Sequence, residues 1–168
     1  MKAMILAAGF GTRLGELTAT IPKPLIKIQQ HYLIEFPLTL LKKAGIREVI
    51  INTHYLAGQM EQTLGDGSKY GLHIIYSREE TILGTGGGVK KAEELIGSEA
   101  FVLINADILC DIDLNDVLAF HDENKADATM VLRREPSLSN FNEIQLSGPG
   151  HVLSINDYPP LEKNRKTS

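Results

Sequence analysis

Residues 6–28 read LAAGFGTRLGELTATIPKPLIKI. The apolar run Ala3–Ala7 (AMILA) leads into this stretch and reads as a buried strand that stops at Gly9. Gly9 and Gly11 then permit φ > 0 and a close approach to the backbone. Successive exposed N–H groups in such a turn attract phosphate oxygens. Thr12 adds a hydroxyl donor, and Arg13 offers the guanidinium fork that pairs with phosphate in a way an ammonium cannot. Ten residues on, Lys23 stands between Pro22 and Pro24, whose rings restrict the backbone on both sides and so aim the ammonium. A strand, a glycine turn and two held cations together describe a cradle for an anionic ligand.

Working outward, strands and helices alternate. Leu33–Gly45 has apolar residues at helical spacing and a glycine stop, Glu48–Asn52 reads as a strand, and Leu56–Gly65 as a short helix. Leu72–Tyr76 is a strand, Gly88–Gly97 a helix, and Phe101–Asn105 a continuous apolar strand of the kind covered on both faces. Leu114–Lys125 is a helix and Ala128–Arg133 a fifth strand; NEIQLS and HVLSI, separated by Gly-Pro-Gly, form a hairpin. Such alternation means βαβ units and a mostly parallel sheet, in which ligands gather beyond the carboxyl ends of the strands. One domain over residues 1–158 is expected, with 159–168 a disordered tail, because Asp157–Ser168 is polar and proline-bearing.

Bulk properties narrow the function. The 168 residues carry a net charge of −4, with 43% hydrophobic and 23% charged residues, so a packed core is expected. The acidic balance excludes a protein that coats nucleic acid or adsorbs to membranes. With Cys110 alone, no disulfide framework is possible within the chain, and a reducing compartment fits. Only six apolar residues precede Gly9, and no apolar run nears the ~20 needed to cross a bilayer. A soluble, cytoplasmic protein is expected.

Two common phosphate loops are excluded. No G-x-x-x-x-G-K-[ST] run exists. A dinucleotide fold needs G-x-G-x-x-G, but Leu14 holds the third glycine's place, and Asn52 stands where the ribose-binding acid belongs. Asn52, ending the second strand above the expected site, could instead reach the ligand.

Two further clusters lie on the expected loops. Gly84, Thr85, Gly86, Gly87 and Gly88 precede the third helix, whose N-terminus favours an anion or a polar ring edge. Asp107 follows the strand Phe101–Asn105 and is a natural Mg²⁺ ligand, with Asp111 and Asp113 as rivals. Asp113 also suits the N-cap of the fourth helix. The five histidines are scattered without metal-ligand spacing, and Cys110 is read as inert.

The stretch resembles the signature of the sugar nucleotidyltransferases, L-A-A-G-x-G-T-R-L-x-x-L-T-x-x-x-P-K-P-L. It matches at Leu6, Ala7, Ala8, Gly9, Gly11, Thr12, Arg13, Leu14, Leu17, Thr18, Pro22, Lys23, Pro24 and Leu25. The resemblance implies a Rossmann-like three-layer α/β/α fold, GT-A-like, with a mostly parallel mixed sheet that is incomplete at the C-terminus. It implies catalytic roles for Arg13 and Lys23. Nucleotide contacts fall to Leu6, Ala7, Ala8, Gly9, Gly11 and Thr12, and to Thr85, Gly86 and Gly87 at the base. The strand-A-D pattern carries the metal role, with Mg²⁺ as cofactor, to Asp107.

The implied partners are an NTP and a sugar 1-phosphate. INTHYLAGQMEQTLGDGSKYGLHIIYS followed by LGTGGG resembles the compact bacterial branch, which points to UTP and N-acetylmuramic acid 1-phosphate. Guanylyl transfer to mannose 1-phosphate, thymidylyl transfer to glucose 1-phosphate and a nucleotide binder with little turnover remain open. The likeness runs to about residue 155, where members of this type continue into more sheet, sugar pocket and a second metal-binding aspartate. Asn142 and Glu143 fall where the sugar region begins. An open sheet edge would invite a homodimer.

Overall fold

The computed structural model describes residues 1–134, 142–148, 150–156 and 158. The chain divides into two compact units, Met1–Asp127 and Ala128–Ser168.

The first unit is built on four parallel strands, β1 (Lys2–Leu6), β4 (Glu48–Thr53), β5 (His73–Arg78) and β6 (Phe101–Asn105), in the order β5-β4-β1-β6. A two-residue antiparallel pair, β2 (Lys27–Ile28) and β3 (His31–Tyr32), stands apart from this sheet. In register, Leu6 lies beside Asn52 on one side and Asn105 on the other, so the glycine turn begins level with the ends of both neighbours. The chain runs from β1 outward to β4 and β5, then returns to the other side of β1 with β6. That reversal opens a crevice between the carboxyl ends of β1 and β6, where ligands sit in such sheets.

Side-chain alternation along β1 and β4 makes the layers. Ala3, Ile5, Val49 and Ile51 face one way, packing with Leu38 and Leu41 of α1 (Glu35–Lys43), Met60 and Leu64 of α2 (Ala57–Leu64) and Leu114 of α5 (Leu114–Asn124). Met4 and Ile50 face the other way, onto α3 (Gly84–Lys91) and α4 (Glu93–Ile96) through Ala92 and Ile96. A sheet with helices on both faces is the expected α/β architecture.

Three expectations are corrected. The third helix begins at Gly84 rather than Gly88 and is broken at Ala92, so all three consecutive glycines lie inside α3. Tertiary contact there overrides helix propensity. A Cβ at Gly87 would meet Leu83 Cβ at 2.7 Å, and one at Gly88 would meet Asn52 Nδ2 and Glu79 Oε1 at 2.8 Å. The strand β6 is not covered on both faces. It ends the sheet among the described residues, and Leu103 is 43% exposed. Ala128–Arg133 is no strand, since its apolar side chains find no ladder partner among the described residues.

In the second unit the expected hairpin is present: β7 (Ile144–Leu146) pairs antiparallel with β8 (Val152–Ile155), bulged between Gln145 and Leu146. Asn142 and Glu143 close its open end against Asn156. The Glu143 N–H donates to Asn156 Oδ1, and Asn156 Nδ2 donates to Asn142 Oδ1. Residues 159–168, expected as a tail, lie outside the described residues. No described helix is long and apolar enough to cross a membrane.

Candidate functional site

The glycine turn is shaped from within. Gly11 adopts φ +68, a left-handed conformation that glycine alone takes without strain. A Cβ there would also meet Thr18 Cγ2 at 3.0 Å and Lys23 Cβ at 3.1 Å, so the turn closes directly on the lysine. The buried hydroxyl of Thr18 donates to the carbonyls of Gly11 and Gly15, at 3.1 and 3.2 Å. The segment after Gly9 is anchored to the loop beyond β4 and to α2, which follows it. Phe10 packs edge-on against His54 with ring centroids 5.3 Å apart, Tyr55 Oη donates to Ala19 O, and Gln59 Nε2 donates to Thr20 O.

Lys23 opens a short 3₁₀ turn after the buried Pro22. Its ammonium donates to Asp107 Oδ2 across the crevice, an ion pair between groups 29% and 36% exposed. Two residues 84 positions apart, one expected as catalyst and one as metal ligand, thus meet at the reversal point of the sheet. Arg13 lies exposed on the 3₁₀ turn Thr12–Thr18, with no ion pair among the described residues. Thr12 is exposed beside it.

Leu6, Ala7 and Ala8 are committed to the scaffold. The Leu6 carbonyl accepts from Ala106 N–H, the Ala7 N–H donates to Asn52 Oδ1 at 2.7 Å, and Ala7 and Ala8 are buried. Gly9 differs: its φ is not positive and a Cβ there would touch nothing within 4 Å. Neither packing nor conformation calls for glycine at that position, which leaves room for a ligand.

The second cluster occupies the first turn of α3. Gly84 is its first residue, so Gly84, Thr85 and Gly86 carry N–H groups without intrahelical partners, the positive end of the helix, and Gly87 follows them directly. Gly86 resembles Gly9: no positive φ and no neighbour within 4 Å of a Cβ. Gly58 in α2 shares both properties, so an empty glycine is not by itself the mark of a ligand site.

Asn52 is 3% exposed, and both ends of its amide are used within the protein: Oδ1 by Ala7 and Nδ2 by Glu79 Oε1 at 2.7 Å. Glu79, 2% exposed, was missed by sequence reasoning, since nothing in SREETILG separates it from a surface acid beside Glu80. The rivals of Asp107 lie elsewhere. Asp113 caps α5, accepting from Asn115 N–H at 2.9 Å, and Asp111 lines hollows of about 330 and 460 Å³ beside α1.

Asp107 is the oxygen donor on hand for a divalent ion. Among the described residues no three His, Cys, Asp or Glu side chains gather as a ready-made site. A single carboxylate about one-third exposed fits magnesium that arrives with waters and phosphate oxygens, the usual way this ion is held.

The nucleotidyl transferase family profile matches residues 2–167. The chain is 36% identical to a UTP–glucose-1-phosphate uridylyltransferase of Synechocystis, over 99% of this chain and 46% of that protein. It is 49% identical to an N-acetylmuramate alpha-1-phosphate uridylyltransferase of Neisseria meningitidis, over 67% of this chain and 49% of that protein. It therefore spans about half the length of these curated relatives. In fold it is similar to a Bacillus anthracis structure described as a glucose-1-phosphate thymidylyltransferase. The TM-score is 0.85 at 23% identity, over 92% of this chain and 63% of that one.

Proposed function

Because this chain belongs to the nucleotidyl transferase family, we propose that it carries the nucleotide half of a sugar-1-phosphate nucleotidyltransferase. UTP is the favoured donor and N-acetylmuramic acid 1-phosphate the favoured acceptor. The observation that carries this reading is the meeting of Lys23 and Asp107 beside the glycine turn, at the carboxyl ends of β1 and β6. The 49% identity to an N-acetylmuramate alpha-1-phosphate uridylyltransferase favours this pair of substrates over guanylyl transfer to mannose 1-phosphate or thymidylyl transfer to glucose 1-phosphate. That acceptor would place the protein in the cytoplasm, in cell-wall sugar recycling.

In the reaction, an oxygen of the sugar phosphate attacks the α-phosphorus of the NTP. The bond from that phosphorus to the bridging oxygen breaks, and pyrophosphate leaves with the electron pair. The attacking oxygen is already an anion, so no general base is needed. The protein's task is to bring two polyanions together and to neutralise charge at the transferring phosphorus. Lys23, held by its flanking prolines, bridges the α-phosphate and the sugar phosphate. Arg13, exposed and without an ion pair among the described residues, reaches for the β- and γ-phosphates. Thr85, Gly86 and Gly87, at the start of α3, receive the edge of the base. Asp107 would hold Mg²⁺, which would supply charge neutralisation on the triphosphate when bound.

A thermal-shift screen of UTP, GTP, dTTP, CTP and ATP with Mg²⁺ tests the reading. A nucleotide at 100 times its dissociation constant stabilises the fold by about 2.7 kcal/mol. UTP is expected to respond, and pyrophosphate release on adding sugar phosphates then separates enzyme from binder. Silence with every nucleotide overturns the proposal.

A further inference from the structure

The two glycine segments are joined by a buried chain of hydrogen bonds that runs across the carboxyl ends of β1, β4 and β5. It starts at the Ala7 N–H, which donates to Asn52 Oδ1 at 2.7 Å. Asn52 Nδ2 donates to Glu79 Oε1 at 2.7 Å, and the Leu83 N–H donates to Glu79 Oε2 at 2.9 Å. Ala7 leads into the first turn, and Leu83 immediately precedes α3. Both linking side chains are at most 3% exposed.

We propose that Asn52 and Glu79 are positioning residues that set the distance between the phosphate-facing turn and the base-facing helix end, so that nucleotide affinity depends on their hydrogen-bond polarity. The proposal rests on the nucleotide reading above.

The polarity follows from the ends. Both termini of the chain are backbone donors. Two side chains bridging two donors therefore need one that both accepts and donates, as an amide does, and one that accepts twice, as a carboxylate does. The order of the two is immaterial. With the backbone donors at each end, only one orientation of the Asn52 amide works. Two features hold the carboxylate in place. The His54 ring bonds the Glu79 carbonyl through Nδ1 at 2.9 Å. Gly88, lacking a Cβ, lets α3 lie directly on the pair, where a Cβ would come within 2.8 Å of Asn52 Nδ2 and Glu79 Oε1.

A polarity swap supplies the test. Glu79→Gln turns one acceptor into a donor and leaves two donors facing each other; Asn52→Asp sets two carboxylates face to face. The double variant N52D/E79Q restores every bond, with the acid at 52 accepting from Ala7 and from the amide at 79, which in turn accepts from Leu83. Affinity for UTP, GTP and dTTP with Mg²⁺ is titrated well below each variant's melting temperature. Each single variant is expected to bind about tenfold more weakly, the scale of one lost hydrogen bond to a charged acceptor. The double variant should return to within about threefold of the wild type.

A purely structural role would lower the melting temperature and leave the affinity of the folded protein unchanged, and that result overturns the proposal. So does a double variant as weak as either single, or one that fails to fold. If a single variant does not fold, recovery of folding and binding in the double variant sustains it. A wild type that binds a nucleotide alongside indifferent variants sinks the positioning role alone, whereas a wild type that binds none of the three sinks the nucleotide reading with it.

Discussion

Lys23 is pinned by covalent and packing constraints at once. Its neighbours are prolines, Gly11 closes on its Cβ, and its ammonium meets Asp107. Lys23→Ala should therefore lower the turnover rate by on the order of 10²–10³, the effect of removing one electrostatic stabiliser. The melting temperature should barely move, since a pair about one-third exposed adds little stability. Steady-state pyrophosphate release and calorimetry check the two halves. Gly86 and Gly88 make a sharper contrast, because they are two residues apart in one helix. Gly86→Ala fills empty space and should stabilise the fold by about 0.5–1 kcal/mol, the usual gain of Ala over Gly in a helix, while weakening nucleotide binding. Gly88→Ala drives a methyl into Asn52 and Glu79 and should destabilise the protein. Urea denaturation read beside nucleotide titration separates them; a Gly86→Ala variant that binds normally would show that its emptiness serves no ligand.

At the level of elements, what was legible depended on whether the deciding interactions were local. The strand that ends shortly before Gly9 and the helix that ends shortly before Gly45 were readable from apolar runs and a stop residue. The start of α3 was not, because glycine propensity argues against a helix there and only Leu83, Asn52 and Glu79 explain it. Glu79 was illegible for the same reason: its partners lie 27 residues back and four ahead. Ala128–Arg133 shows the converse, since apolar composition cannot supply a neighbouring strand. Another tie joins β5 to the end of α2, where Tyr76 Oη donates to Gly65 O at 2.7 Å. Burial foremost, then the charges of Glu61 and Asp66, pushes the phenol up to about 12 from an ordinary value of 10.0. Because the folded value is raised, the stabilisation is complete below pH 10 and is lost as pH rises toward 12. Urea midpoints should fall between pH 9.5 and 11.5, and Tyr76→Phe should flatten part of that slope.

For the whole molecule, strand–helix alternation implied a mostly parallel sheet but not the order of its strands; the order β5-β4-β1-β6 explains why residues remote in sequence converge. Asp107 and Lys23 each stood out locally, one as an acid after a buried strand and the other as a lysine between prolines. That they touch required the register of β1 against β6. Their pairing bears on how an anion first arrives. A lysine cancelled by an aspartate casts little field into solution, which leaves Arg13, of the turn's two cations, to draw in a negatively charged visitor. Long-range attraction should accordingly be faint, and the rate constant for nucleotide association, measured by stopped flow, should change less than about threefold between 20 and 200 mM salt. A resting cleft of this kind is nearly mute toward the crowd of phosphates around it and discriminates by fit at close range rather than by pull from afar.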